Sequence, residues 1–434
     1  MQEKKAVFIR ILERLFVIAM LMYSMHVATA LIYPNLGEED AASVSADIHL
    51  PIVMIQAALY GCGALLILTR WRRVLGASLR IWPILLLVAL APLSAAWSVD
   101  PMLTLRRSAL LIGSAFVGIY FGERFTLDEY ARLLMQTFCI LMVLSVVLYF
   151  VAPRYVLDVT HEGAWRGLAD HKNNFGEDMA LALILLLLNR PNRLQWLRYL
   201  FLGMACAMLL LSRSATSLAA ALLVVATLPF WQVVRLSPKP RLAAYIVATA
   251  TILGSTYVLM ANRTAVLTLL GRDPTLTGRT RLWALVITAI KHRPLLGYGF
   301  ESFWTGLKGE SLNVIIGAGW LAPAAHNGFL ELYLALGLLG STVFVAAFLD
   351  SFRRAVTYIR DEPRLVAYWP VAFFCFFLVH NLGESDLITR CTDTLLTFIA
   401  VSTALAVRSG STGNIVADVP LIGSYGDSVR LTAQ

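Results

Sequence analysis

Charge is what this sequence has least of. Only 15% of its 434 residues are Asp, Glu, Lys or Arg, against roughly a quarter in a soluble domain, so a solvated globular enzyme is excluded. Cysteine is scarce and placed without chemistry. Cys62, Cys139, Cys206 and Cys375 lie inside apolar runs, Cys391 sits at an edge, and no pair has metal-ligand spacing; they read as small core residues. There is no G-x-x-x-x-G-K and no zinc motif, hence no readable nucleotide or metal site. The apolar runs never settle into alternation, which excludes a membrane barrel. No internal repeat is evident, which counts against a transporter built from paired halves.

What the chain has instead is apolar length. Hydrophobic residues make up 58% of it, in repeated runs near the roughly twenty residues that a spanning helix needs. The expected class is an all-α integral membrane protein with about twelve transmembrane helices. Spans are expected near 15–33, 49–69, 81–97, 107–121, 133–151, 179–189 (short, so starting in the preceding polar loop), 197–211, 216–234, 242–261, 328–349, 366–380 and 393–407. The basic start, MQEKKAVFIRILER, reads as an uncleaved signal anchor because the apolar run continues past Ala28-Thr29-Ala30. Residues 1–408 form the membrane domain, including a long outer loop at 262–327. Residues 409–434, rich in Gly, Ser and Asp, are expected to be a disordered cytoplasmic tail.

Orientation follows from where the basic residues fall. With the N-terminus inside, the short loops carrying Arg70, Arg72 and Arg73, then Arg190, Arg193 and Arg198, then Arg235, Lys239 and Arg241, then Arg353, Arg354, Arg360 and Arg364 are all cytoplasmic. The net charge of +9 is therefore a topology signal and not a nucleic-acid patch. The acidic loop 34–48 falls outside, together with Arg106, Arg107, Arg166, His171, Lys172, Arg213, Arg279, Arg281, His326, Glu384 and Asp386. Arginine's planar fork suits a phosphate or diphosphate, and His326 is the outer group able to take a proton near neutral pH beside a helix start. Each has a plainer reading. Arg106 and Arg107 fit interface anchors that reach for water. Lys172 and Asn173 fit a cap for the sixth span, Arg213 a tie across a tight hairpin, and His326-Asn327 an N-cap for the tenth. Trp283 and Trp304 fit an interfacial belt, and HRPLLGYG fits a turn.

Five segments in order carry a family likeness: AAWSVDPMLTLRRSALLIG, RGLADHKNNFGEDMALAL, LLLSRSATSLAAALL, GRTRLWALVITAIKHRPLLGYGFESFW and AHNGFLELYLALGLLG. From about Leu93 to Asp386 the chain resembles the O-antigen ligase/polymerase superfamily, and within it the exopolysaccharide polymerases of the ExoQ/Wzy kind. The resemblance implies a GT-C-like helical bundle in the bacterial inner membrane with its active face in the periplasm. The activity implied is inverting, metal-independent glycosyl transfer with no cofactor. The donor and acceptor would be polyprenyl-diphosphate-linked oligosaccharides, polymerised into a succinoglycan-like exopolysaccharide. A ligase that moves glycan onto a lipid core or protein, or a flippase for the same lipid, are the alternatives. Carried over residue by residue, His326 is the base. Arg213 and Arg279 (or Arg281) hold the diphosphate, with Arg166 and Lys172 as further candidates. Membrane lipid, a chain-length regulator and export machinery are the implied partners; the segment between Trp304 and His326 does not align.

Overall fold

The computed structural model describes residues 2–34, 50–190, 195–236, 278–306 and 308–417. The expected ninth span at 242–261, the start of the long outer loop, Arg193, Lys239, Arg241, nearly all of the acidic loop and the end of the tail lie outside these residues. Fifteen α-helices run through the described segments: α1 Gln2–Ser24, α2 Val27–Ile32, α3 Leu50–Thr69, α4 Trp71–Arg80, α5 Trp82–Leu93, α6 Pro101–Arg124, α7 Leu127–Val151, α8 Lys172–Leu188, α9 Gln195–Leu211, α10 Ala215–Trp231, α11 Arg279–His292, α12 Gly309–Ala318, α13 Gly328–Asp361, α14 Trp369–His380 and α15 Asp393–Ala417. No strand occurs among the described residues, only an isolated bridge between Leu157 and Trp165. Among the described residues five helices are long and apolar enough to cross a membrane, or six if α4 and α5, bent by 96°, count as one span.

The boundaries depart from the sequence reading in three places. The first apolar run is broken at His26, whose φ of 62° ends α1 and starts α2. The arginine-dense RWRRVLGASLR is a helix and not a loop, with Val74, Ala77 and Ser78 buried while Arg72 and Arg73 stay exposed. The last helix runs past the expected limit at 408 to Ala417.

The bundle is closed by small residues and pinned by ion pairs. α6 and α15 lie side by side in the same direction, because Gly118 and Gly122 present no side chain to Ile399 and Ala400. A Cβ at Gly122 would sit 2.2 Å from the Ala400 carbonyl oxygen. Small residues four apart allow this close backbone approach between membrane helices. At the far ends of these helices Arg124 forks onto Glu13, Arg70 pairs with Glu123 and Arg364 with Asp128. These belong to the arginine-rich end. At the opposite end gather loop 152–171, hairpin 212–214, segment 278–327 and loop 381–392.

At that second end α13 is broken at Gly337 (φ 62°, ψ −159°). The break strands four backbone groups, and the HRPLLGYG turn satisfies all of them. The Leu334 and Ala335 carbonyls accept from Tyr298 N–H (2.9 Å) and Gly299 N–H (3.0 Å). Leu338 and Leu339 N–H donate to the Pro294 (2.9 Å) and Leu295 (3.2 Å) carbonyls. Inside a bilayer each unpaired group would cost several kcal/mol, so broken helix and turn are obligate partners. The turn is held in its own right: the Trp97 indole donates to the Leu296 carbonyl at 2.9 Å, and Val99 N–H donates to the Tyr298 carbonyl at 3.0 Å. Gly337→Ala places a Cβ 2.4 Å from the Leu295 backbone at positive φ. It is expected to cost about 1–3 kcal/mol in backbone strain alone, visible as a lower melting temperature in detergent. Gly203→Ala, with nothing within 4 Å, should melt like the parent.

Candidate active site

Four segments distant in sequence meet on one carboxylate. Glu384 lies in loop 381–392, between α14 and α15. Arg279, the first residue of α11, donates from Nη2 to Glu384 Oε1 at 3.2 Å and from Nη1 to the Gly383 carbonyl. Asn173, in the first turn of α8, donates from Nδ2 to the same Oε1 at 3.0 Å. His326, just before α13, holds Nδ1 3.7 Å from Glu384 Oε2 and lays its ring against Trp320, 5.7 Å between centroids. That His–Glu separation is electrostatic pairing, longer than a hydrogen bond; catalytic contacts of this kind tighten when substrate binds.

The His-Asn pair divides its work. Asn327 is the cap of α13, its Oδ1 accepting from Phe329 and Leu330 N–H at 3.1 Å each. His326 takes no part in the cap. It is buried, held at φ 48°, and turned toward Glu384. The H-K-N stretch divides in the same way, and not as the sequence reading had it. His171 caps α8 by accepting from Asn173 N–H at 3.2 Å, which leaves the Asn173 side chain to reach Glu384. The tryptophans are also not mere belt residues. Trp283 donates to the Ala325 carbonyl at 3.0 Å and Trp304 to Glu331 at 2.9 Å, which in turn accepts from Ala325 N–H, so both brace the irregular segment that carries His326. The segment between Trp304 and His326, which does not align with the family, contains α12, which packs with α11 in a small apolar cluster around Leu282, Val286 and Val314.

The other sequence candidates are distributed unequally. Arg213 sits in its hairpin at φ 52° and donates from Nη1 to the Glu162 carbonyl at 3.0 Å. Its neighbours tie it to the site: Ser217 Oγ reaches the Asn173 carbonyl at 3.4 Å, and Thr216 packs on Gly383, which Arg279 also contacts. Lys172 opens α8 beside Asn173, with its N–H on Asp158 Oδ2 at 3.2 Å. Arg281, in the first turn of α11 just before the buried Leu282, is exposed. Arg166 is fully buried and gives Nη2 to the carbonyls of Pro34 and Arg154, a position that holds the loop together from within. α8, α10, α11 and α13 all start at this end, so four helix N-termini add partial positive charge to that of the arginines.

Sequence reasoning missed Glu384 as the hub and placed it only among the outer-face charges, beside Asp386. The signal was there: an acid in a short loop between two strongly apolar segments needs a buried partner. Burial alone would raise the Glu384 carboxyl, but His326, Arg279 and His380 outweigh it and hold its pKa down at about 2. Asp386 goes the other way, pushed up by burial and by neighbouring Glu177. Among the described residues two sets of potential metal ligands, invisible to spacing, also come together: Asp158, His161 and His171, and Glu177, His380 and Asp386, each with ligand atoms within 4.8 Å. In the first, Asp158 Oδ1 already accepts from Thr160 N–H and His161 N–H. In the second, His380 Nδ1 lies 3.1 Å from Glu177 and Nε2 lies 3.1 Å from Ser217 Oγ, an ion-pair arrangement that needs no metal. A cavity of ≈ 360 Å³ lies at the opposite, arginine-rich end, lined by Arg124, Asp128, Arg364 and Arg408, and holds none of the candidate residues.

With that geometry in hand, the comparisons agree with the motifs. A family model described as O-antigen ligase matches residues 199–345, which include Arg213, Arg279 and His326. The chain is also 26% identical over 359 residues to the exopolysaccharide production protein ExoQ of Rhizobium meliloti (strain 1021), covering 76% of this chain and 78% of that one. The resemblance to the O-antigen ligase/polymerase superfamily thus rests on both a domain match and most of the chain's length.

Proposed function

We propose that this multi-pass membrane protein is a glycosyltransferase that joins polyprenyl-diphosphate-linked oligosaccharides into an exopolysaccharide. On this reading it has about twelve spans in the bacterial inner membrane and works at the periplasmic face. The observation that carries the proposal is the convergence of Arg279, His326 and Asn173 on Glu384, at the end of the bundle where α8, α10, α11 and α13 begin.

The chemistry follows from those groups. A glycosyl diphosphate already has a good leaving group, so the protein must gather negative charge and deprotonate an alcohol. Arg279, assisted by Arg213 and the helix N-termini, binds the diphosphate and stabilises the charge that grows on it. Glu384 fixes Arg279 and faces Nδ1 of His326, which leaves Nε2 as the nitrogen that accepts the proton. The acceptor hydroxyl oxygen attacks the anomeric carbon, its proton passes to His326, the bond from that carbon to the diphosphate oxygen breaks, and polyprenyl diphosphate leaves with inversion. His326 then gives up its proton to solvent. No step draws on a metal or cofactor.

A ligase would use the same groups, and the H-K-N segment and the likeness to ExoQ favour the polymerase. Supplying purified protein with one lipid-linked repeat unit separates the two. A polymerase yields a ladder rising by whole units. A product formed only when a separate lipid core or protein acceptor is added would replace this reading by the ligase.

A further inference from the structure

Loop 152–171 carries a cluster that the proposed transfer does not use. One ligand atom from each of Asp158, His161 and His171 lies within 4.8 Å of the other two. The loop folds back on itself at the Leu157–Trp165 bridge, with Asp158 N–H on the Ala164 carbonyl at 2.9 Å. The start of α8 is tied to the same aspartate, since Lys172 N–H donates to Asp158 Oδ2 at 3.2 Å. His161 Nδ1 stands 3.1 Å from Asp158 Oδ1, and the two imidazole rings meet edge to face, 5.6 Å between centroids. Ligands of a tetrahedral zinc ion stand about 3.3–3.6 Å apart, so the set closes on one with side-chain movement of roughly 1 Å. The Asp158 side chain is only 3% exposed, and its Oδ1 accepts from Thr160 N–H at 3.0 Å and His161 N–H at 2.8 Å. Such bonds leave lone pairs on the carboxylate and fix its direction, which is the support a ligating carboxylate has. Burial alone would raise this carboxyl, but His171 and His161 outweigh it and hold it below the usual carboxylate range, ionised and ready to ligate. His161, 44% exposed, gives an ion its way in and a water its place as fourth ligand. Two imidazole nitrogens with one carboxylate oxygen suit zinc, whereas magnesium and calcium take oxygen alone.

We propose that Asp158, His161 and His171 bind a zinc ion, and that the ion draws His171 off the cap of α8. A neutral imidazole has one lone pair. In His171 it lies on Nδ1 and accepts from Asn173 N–H at 3.2 Å. Whichever ring nitrogen the metal takes, that cap is given up, and a neutral hydrogen bond of this length is the weaker claim on the ring. The residue released is Asn173, whose side chain reaches Glu384. Zinc bound to the loop therefore loosens the first turn of α8 beside the candidate active site. Neither the ion nor its effect on the cap depends on the proposed transfer, whose reacting groups lie outside the set.

The test titrates zinc chloride into full-length protein, free of any histidine tag, in zwitterionic lipid nanodiscs. Cobalt(II) serves as the visible probe of coordination, amide hydrogen exchange reports the first turn of α8, and every variant is melted without metal. The parent is expected to bind an equivalent of zinc that a large excess of magnesium does not displace. His161→Gln, a change at the exposed member of the set, should melt like the parent and weaken zinc by about tenfold or more. Asp158→Asn keeps an acceptor for the loop's N–H groups, removes the charge and should weaken zinc likewise. His292→Gln, at an exposed histidine of α11 outside the set, should bind as the parent does. Zinc should speed amide exchange at the start of α8 in the parent and leave it unchanged in His161→Gln. Zinc affinity undiminished in His161→Gln, or a cobalt spectrum of purely octahedral oxygen ligation, would overturn the site. Zinc bound through His161 with exchange at α8 unchanged or slowed would overturn its competition with the cap.

Discussion

His326→Ala is expected to lower glycosyl transfer by ~10²-fold or more while donor lipid still binds, because a positioned general base contributes about 10²–10⁴-fold. Asn327→Ala should differ in kind. Its side chain carries the α13 cap, so its loss should cost about 1 kcal/mol of stability and leave turnover near the parent value. His326 sits at φ 48°, where alanine is strained, so His326→Asn supplies the control: asparagine tolerates this conformation but cannot act as a base near neutral pH. Product length, turnover and thermal melts of the three variants decide the matter. Near-parental turnover in His326→Asn would leave the histidine a structural role only.

Arg279→Lys should keep the fold and lose affinity. Lysine preserves the charge beside Glu384 but not the planar fork, so donor binding should weaken about tenfold, some 1.4 kcal/mol. Arg279→Gln should do more. Glu384 is 9% exposed in its side chain, and removing the guanidinium leaves it with less compensation, at a cost of about 3–5 kcal/mol. That variant is expected to express poorly, and Glu384→Gln in the same chain should restore expression without restoring activity. Binding of the donor lipid, read alongside melting temperature, distinguishes the two losses. Parental affinity in Arg279→Lys would mean that charge alone, and not bidentate geometry, holds the diphosphate.

The class of the protein was legible in the sequence because hydrophobic length is a local property. Every expected span within the described residues has a helix, since each apolar run has to satisfy its own backbone. What the runs do not encode is how they break. The kink at Gly337 and the turn that fills it lie some forty residues apart, and it is backbone pairing, from Tyr298 and Gly299 to Leu334 and Ala335 and from Leu338 and Leu339 to Pro294 and Leu295, that joins them. Stretches within the family segments do two kinds of work. AAWSVDP, HRPLLGYG and LALGLLG interlock through main-chain hydrogen bonds as scaffold, whereas the H-K-N and A-H-N segments deliver side chains to Glu384. Arg213, Arg279 and His326 were legible because each breaks a local expectation, a cation or a histidine on the outer face. Glu384 was not, because its meaning lies in partners about two hundred or fewer residues away that sequence spacing does not connect. Arg166 shows the converse: it breaks the charge rule as the others do, yet its donors go to backbone carbonyls inside its own loop and to Pro34.

The central claim is that arginine and histidine carry this transfer unaided. The most direct measurement is elongation of a lipid-linked repeat unit by purified protein dialysed against EDTA, compared with the same protein given magnesium or manganese. The account predicts the same ladder of products at the same rate in all three samples. Elongation that stops on chelation and returns with the metal would contradict it, and would turn attention to Glu177, His380 and Asp386, whose ligand atoms already lie within 4.8 Å of one another.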